Sequence, residues 1–237
     1  MPDIVINTNG TVDPFGGVLL KDTSIPVIPD FRRYTEEVPG RAGEIDFGQD
    51  SANRMITLSI LVVKPEANKP VFLRQVASWL NPAAGEFLLK DERDTEKQLW
   101  VKCAREVTYT DRFNQLIFKI PLTGRPYYES RITYNLAGEG TATSNGNVST
   151  PVWIRLNDAA TNPEVTIAGV LVKYTGSLVA GEYVEVDTEL KTAKKYSGGV
   201  FTNCLGNMNG NFPWLSPGNN SVSTTFSVDI FWRDRWI

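Results

Sequence analysis

The residues able to do chemistry are few. The 237-residue chain contains no histidine, which removes Ser-His and Cys-His nucleophile activation and every histidine-ligated metal site. Its two cysteines, Cys103 and Cys204, have no C-x-x-C spacing. Cys103 shares the strand parity of Leu99 and Val101 and reads as a small buried hydrophobe. Cys204 falls in a polar loop and is open to exposure. The acidic run Asp91, Glu92 and Asp94 encloses Arg93 within one turn, and no second cluster offers convergent ligands, so neither a metal nor a cofactor is expected. A glycosidase would need two carboxylates facing each other across a cleft. No motif among the 27 acidic residues argues for such a pair, and the chain reads as a non-enzyme.

What remains is chemistry of recognition. Trp153, Arg155 and Asn157 share one face of a strand whose other face is Val152, Ile154 and Leu156. An aromatic platform beside a guanidinium and an amide suits a sugar, and equally a protein partner; a partner interface is the preferred reading. Arg32, Arg33 and Arg41 form a small basic cluster near Glu36, Glu37 and Glu44, read as a solvated charge face or a subunit contact. Trp214 and the closing Arg233-Asp234-Arg235-Trp236 read as a loop-covering tryptophan and a frayed, charged terminus.

Charge narrows the partners. With 24 Lys and Arg against 27 Asp and Glu, the chain lacks the basic excess that grips phosphate backbones, and specific nucleic-acid binding is not expected. No charged-then-apolar leader opens the sequence and no apolar run approaches the ~18 residues of a membrane span, so cytosolic synthesis without membrane insertion is expected.

The elements that must position these residues are mainly strands. Val, Ile, Thr and aromatic residues alternate in short runs, separated by turns drawn from 19 glycines and 14 prolines. Residues 4–31 predict two or three strands ending in a Pro-rich run. The organising stretch is Val38–Val63: turns at Pro39-Gly40 and Ala42-Gly43, a short strand Glu44–Gly48, a polar loop, then a long strand Arg54–Val63 with Ile56, Leu58 and Ile60 on one face. The one convincing helix covers 69–80, with Asn68 as cap, Pro70 in its first turn and Pro82 after its end. Phe72, Val76, Trp79 and Leu80 make its apolar face. A strand at Glu86–Lys90, a charged turn and a long hairpin of 98–109 with 115–122 follow. A composition change near residue 130 divides the chain into domains 1–130 and 131–237. The second domain predicts strands at 152–156, 164–167, 170–175, 183–187, 194–196 and 223–232, the signature of a sandwich.

These stretches carry a resemblance. The Pro39-Gly40-Arg41-x-Gly43 turn, the acidic strand Glu44–Gly48, the Arg54-led strand, the helix ending Trp79-Leu80-Asn81-Pro82, and Pro121-Leu122 to Pro126-Tyr127 resemble, in order, the N-terminal domain of distal tail proteins of long-tailed, non-contractile bacteriophages. Gly181-Glu182 entering Val184–Asp187, and the late Ser216-Pro217-Gly218-Asn219 turn, resemble the galectin-like C-terminal domain of the same family. The resemblance implies an N-terminal β-barrel or sheet domain with one helix and a C-terminal galectin-like β-sandwich. It also implies a homo-hexameric ring at the virion tail tip, assembled in the host cytoplasm. Such a ring joins the tail tube protein to the tail hub and to receptor-binding or side proteins, and DNA passes through it without specific binding. The other reading is a carbohydrate-binding module, on the virion surface or free; the missing histidine departs from sugar-binding galectins.

Overall fold

The computed structural model describes residues 3–157 and 159–237. Their contacts fall into two compact units, Met1–Tyr128 with Ile237, and Glu129–Trp236. Among the described residues no helix is long and apolar enough to cross a membrane.

In chain order the first unit carries β1 (Ile4–Ile6), β2 (Thr11–Asp13), β3 (Gly17–Leu19), β4 (Phe31–Glu37), β5 (Glu44–Ser51), β6 (Arg54–Val63), α1 (Lys69–Trp79), β7 (Phe87–Asp91), β8 (Lys97–Cys103), β9 (Thr108–Arg112) and β10 (Gln115–Gly124). Seven of these strands run β8-β7-β1-β2-β3-β6-β10, and a further β8–β10 pairing closes them into a barrel. Closure removes the open edges that would otherwise invite pairing with other chains. Strand β10 pairs with β6 along its whole length, while its other edge is shared between β9 and β8. Inside, Ile56, Leu58, Ile60 and Val62 meet Leu116, Phe118, Ile120 and Leu122. The alternation therefore works as the sequence predicts, with one addition. Ser59, on the opposite parity, is also fully buried, because Leu20–Ser24 crosses that face and the Thr23 hydroxyl accepts the Ser59 N–H.

Gly17 has no room for a side chain: a Cβ there would stand 2.6 Å from the Leu61 carbonyl oxygen. Helix α1 lays Phe72 and Val76, with Leu80 just beyond its end, into the core, and Trp79 meets Phe15 and Phe72 edge-on. Asn68 makes no side-chain cap; a 3-10 turn at Glu66–Asn68 leads straight into the helix. The helix start is held instead by Lys69, whose buried ammonium donates to Asp111 at 2.5 Å, Glu66 at 2.6 Å and the Arg112 carbonyl at 3.1 Å. The Asp111 bond is the largest cause of its raised pKa, with Glu66 second.

Three further expectations for this unit are corrected. The predicted long strand 98–109 is broken at 104–107 into β8 and β9, since the barrel wall turns there and β10 exchanges partners. Cys103 is half-buried, with its thiol 3.3 Å from the Arg105 carbonyl, because it ends β8 where the wall opens. The short acidic strand is β5, which runs on through the expected polar loop to Ser51 and pairs with β4.

The second unit is a sandwich of two antiparallel sheets around Val152, Ile154, Leu156, Val165, Ile167, Val184, Val186, Val222 and Ile230. One sheet comprises β11 (Tyr134–Ala137), β12 (Thr150–Asn157), β13 (Tyr183–Asp187), β14 (Thr192–Ser197), β15 (Val200–Asn203) and β16 (Val228–Trp232), in the order β11-β16-β12-β13-β14-β15, with Trp214–Leu215 added on β12. The other is built from Gly140–Ser144, Gly218–Thr224, Glu164–Ile167, Val170–Tyr174 and Met208–Gly210. The predicted strand 223–232 is thus two strands, one in each sheet. Cys204 is buried, 8% exposed, where the chain leaves β15 against the core, and desolvation raises its thiol pKa. The terminus is not frayed: Asp234 and Arg235 are 0% and 3% exposed. The Arg235 guanidinium binds Glu129 and Glu189, each at 2.8 Å, and lies 5.8 Å from the Trp214 ring.

Candidate functional site

Among the described residues no group of three or more Cys, Asp or Glu could hold a metal ion. The run Asp91–Asp94 resolves into local ion pairs, Arg93 to Asp91 at 2.6 Å and Lys97 to Asp94 at 3.4 Å. Two other features present organised surface.

The first is a hairpin in the first unit. Among the described residues β4 and β5 pair only with each other, as a separate two-stranded sheet, and all seven residues of β4 are exposed. Its turn needs the positive φ that Gly40 and Gly43 adopt, at 87° and 82°. Among the described residues the only side-chain tie across it is Tyr34 to Asp50, 3.1 Å. Phe47 is 64% exposed, and Val27 and Ile28, just before the hairpin, are 86% and 58% exposed. Arg32 and Arg33 lie on β4 and Arg41 in the turn; among the described residues no hydrogen bond or ion pair occupies any of the three guanidinium groups. The hairpin is moored at its base by Arg54, fully buried at the start of β6. Its guanidinium donates to the carbonyls of Pro26 at 2.8 Å, Val27 at 2.9 Å and Pro126 at 2.9 Å, and sits 4.7 Å from the Tyr128 ring. Burial lowers the Arg54 pKa and raises that of Tyr128.

The second is the outer face of the β12 sheet. Period two puts Trp153, Arg155 and Asn157 side by side there, and register sets a carboxylate beside each. Trp153 Nε1 donates to Asp187 at 3.0 Å, Arg155 to Glu185 at 2.7 Å, and Asn157 to Asp229 at 2.7 Å. Arg155 also lies 4.6 Å from the Tyr183 ring. Beyond it Tyr183, Tyr196 and Phe201 form a cross-strand aromatic ladder, the two tyrosines stacked at 4.7 Å. Trp153 and Arg155 line an open cleft of about 630 Å³, and Asn157 lies outside its lining. The structure so brings two of the three named residues to a common cleft. The flanking Lys194 was not singled out in the sequence, because only the cross-strand register places it there, and Arg233, read as part of a frayed terminus, lines the same cleft.

A barrel with one helix followed by a sandwich is an arrangement shared with known proteins. Residues 18–123 match the phage tail protein RIFT-related domain, and residues 145–236 match the siphovirus-type tail component, C-terminal domain. The crystal structure of the Dit protein of phage SPP1, described as a paradigm of the hub adsorption apparatus in phages infecting Gram-positive bacteria, has a TM-score of 0.73 at 11% identity, over 92% of this chain and 94% of that one. A chain of the phage P2 baseplate in its activated conformation with Ca has a TM-score of 0.50 at 9% identity, over 96% of this chain and 91% of that one. At such identities the structural likeness is one of fold. No curated protein sequence matches. The two domains, in this order and over most of the chain, define a structural protein of the siphovirus-type phage tail. More narrowly, the chain belongs with the distal tail proteins.

Proposed function

We propose that this chain is the ring-forming hub of the tail tip. Six copies assemble through the first unit, joining the tail tube protein to the tail hub protein, while the sandwich meets receptor-binding or side proteins. The ring is built in the host cytoplasm and carried in the virion, and DNA passes through it without specific binding.

The observation that carries this reading is the free-standing hairpin. A two-stranded hairpin is marginal alone in water, and among the described residues this one has no third strand and no core of its own. Its unpartnered edges, exposed Phe47 and uncommitted Arg32, Arg33 and Arg41 suit a neighbouring copy, in a head-to-tail contact that closes into a ring. The near balance of charge supports passage of DNA, since a strongly basic channel would hold it.

The test is the solution mass of the full chain by light scattering, with negative-stain imaging, beside a variant in which residues 32–50 are replaced by a short Gly-Ser turn. An open ring of six subunits is expected for the parent and monomers for the variant, with circular dichroism showing the barrel retained. A ring that survives loss of the hairpin overturns the assignment.

A further inference from the structure

The outer face of the β12 sheet is more than a row of matched charges. Trp153 is 37% exposed and cannot swing freely. Its indole N–H is bonded to one oxygen of Asp187, and the other oxygen of that carboxylate accepts the backbone N–H of Glu189 and Leu190, both at 2.9 Å. A turn and a tryptophan are thereby fixed by a single carboxylate. Phe231 stands directly across β16 from Trp153, in register, so the cleft has a continuous aromatic wall. Its volume, about 630 Å³, falls within the usual range of ligand clefts.

The charges around that wall are not balanced. Glu185 is engaged by Arg155, and Asp187 by Trp153 and the turn. Lys194, across from Glu185 on β14, is exposed and has no ion pair or hydrogen bond from its ammonium among the described residues. Among the described residues Arg233 donates only its Nε, to the Thr133 hydroxyl at 3.0 Å, which leaves the forked end of its guanidinium uncommitted. Two available cations therefore flank an aromatic wall whose carboxylates still have lone pairs to offer.

From this the geometry points to a binding site for an anionic polyol or saccharide. The aromatic wall packs on the apolar face of a ring or polyol backbone. Glu185 and Asp187 accept from hydroxyl groups, and Lys194 and Arg233 hold a phosphate or carboxylate substituent. An acidic peptide fits less well, since its carboxylates only accept and would face Glu185 and Asp187. This site goes beyond the hub reading and does not depend on ring formation.

The test uses the full chain at low salt, where exposed charges are least screened. Four polymers are titrated calorimetrically: poly(glycerol phosphate), polygalacturonate, neutral dextran and polyglutamate. Binding of either of the first two, with dextran and polyglutamate much weaker, supports the site; which of the two binds distinguishes a phosphate from a carboxylate substituent. Lys194→Ala with Arg233→Ala is expected to weaken that binding by about tenfold or more, as for loss of a charge-assisted hydrogen bond. Trp153→Ala does likewise, while Trp153→Phe retains most of the affinity, and unchanged thermal unfolding shows each variant folded. No binding of either anionic polyol, equal binding of polyglutamate, or full affinity in the double variant overturns the proposal.

Discussion

Arg54 in the first unit and Arg235 in the second are both buried, 0% and 3% exposed, yet they are held in opposite ways. Arg54 has no carboxylate partner among the described residues. It is held by three backbone carbonyls and the face of Tyr128. Arg235 is held by two carboxylates, one of them, Glu129, itself buried. A guanidinium bonded to carbonyls ties together chain segments far apart in sequence, here the approach to the hairpin, the first residue of β6 and the segment after β10. A guanidinium bonded to carboxylates neutralises charges that could not otherwise be buried, and so closes the terminal segment onto its unit. The first kind of site organises chain paths; the second makes one residue a condition for burying another.

This contrast sets the order of the expected losses. Arg235→Met should be the most damaging, about 3–5 kcal/mol, because it removes the guanidinium from a buried carboxylate. Adding Glu129→Gln should restore part of that loss, a non-additivity measurable by denaturant titration. Simple additivity would show that the pair is not the reason. Arg54→Met should cost less, about 1–3 kcal/mol, since it strands neutral carbonyls and no charge. Calorimetry that finds Arg54 the costlier of the two reverses the comparison. Gly17→Ala lies in the same range, about 1–3 kcal/mol, by overpacking against the Leu61 carbonyl.

The smallest effect expected is a pH dependence in the second unit. Glu182 accepts from Lys195, its largest influence, and also from Ser197 and the Val179 N–H, which lower its pKa from 4.5 to about 2. A carboxyl depressed in the folded state stabilises it fully above the unfolded value, and the contribution disappears as pH falls through the folded one. The Tm gap between the parent and Glu182→Gln should be constant near neutrality, shrink below about pH 4.5 and be gone near pH 2. A gap that is flat down to pH 2 would remove Glu182 from the acid response.

Some of this was legible in the residues alone. Period-two alternation places Ile56, Leu58 and Ile60 in the core and Trp153, Arg155 and Asn157 on one outer face, since the strand's geometry leaves no alternative. The helix was equally readable from its i, i+4, i+8 apolar spacing, and its end from Pro82. The absence of histidine excludes whole classes of chemistry without reference to any fold. Three-dimensional pairing decided the rest. Phe31–Glu37 lacks the apolar alternation of a half-buried strand because the strand it forms is not half-buried: all seven of its residues are exposed. Cys103 is only half-buried and Cys204 is buried, because burial depends on where the barrel wall opens and where the sandwich closes, neither of which is local. Nor does the sequence bring Lys194 and Arg233 to Trp153. They lie about forty and eighty positions away from it, and only antiparallel register across β16, β12, β13 and β14 makes them neighbours, because cross-strand proximity is fixed by pairing and not by sequence distance.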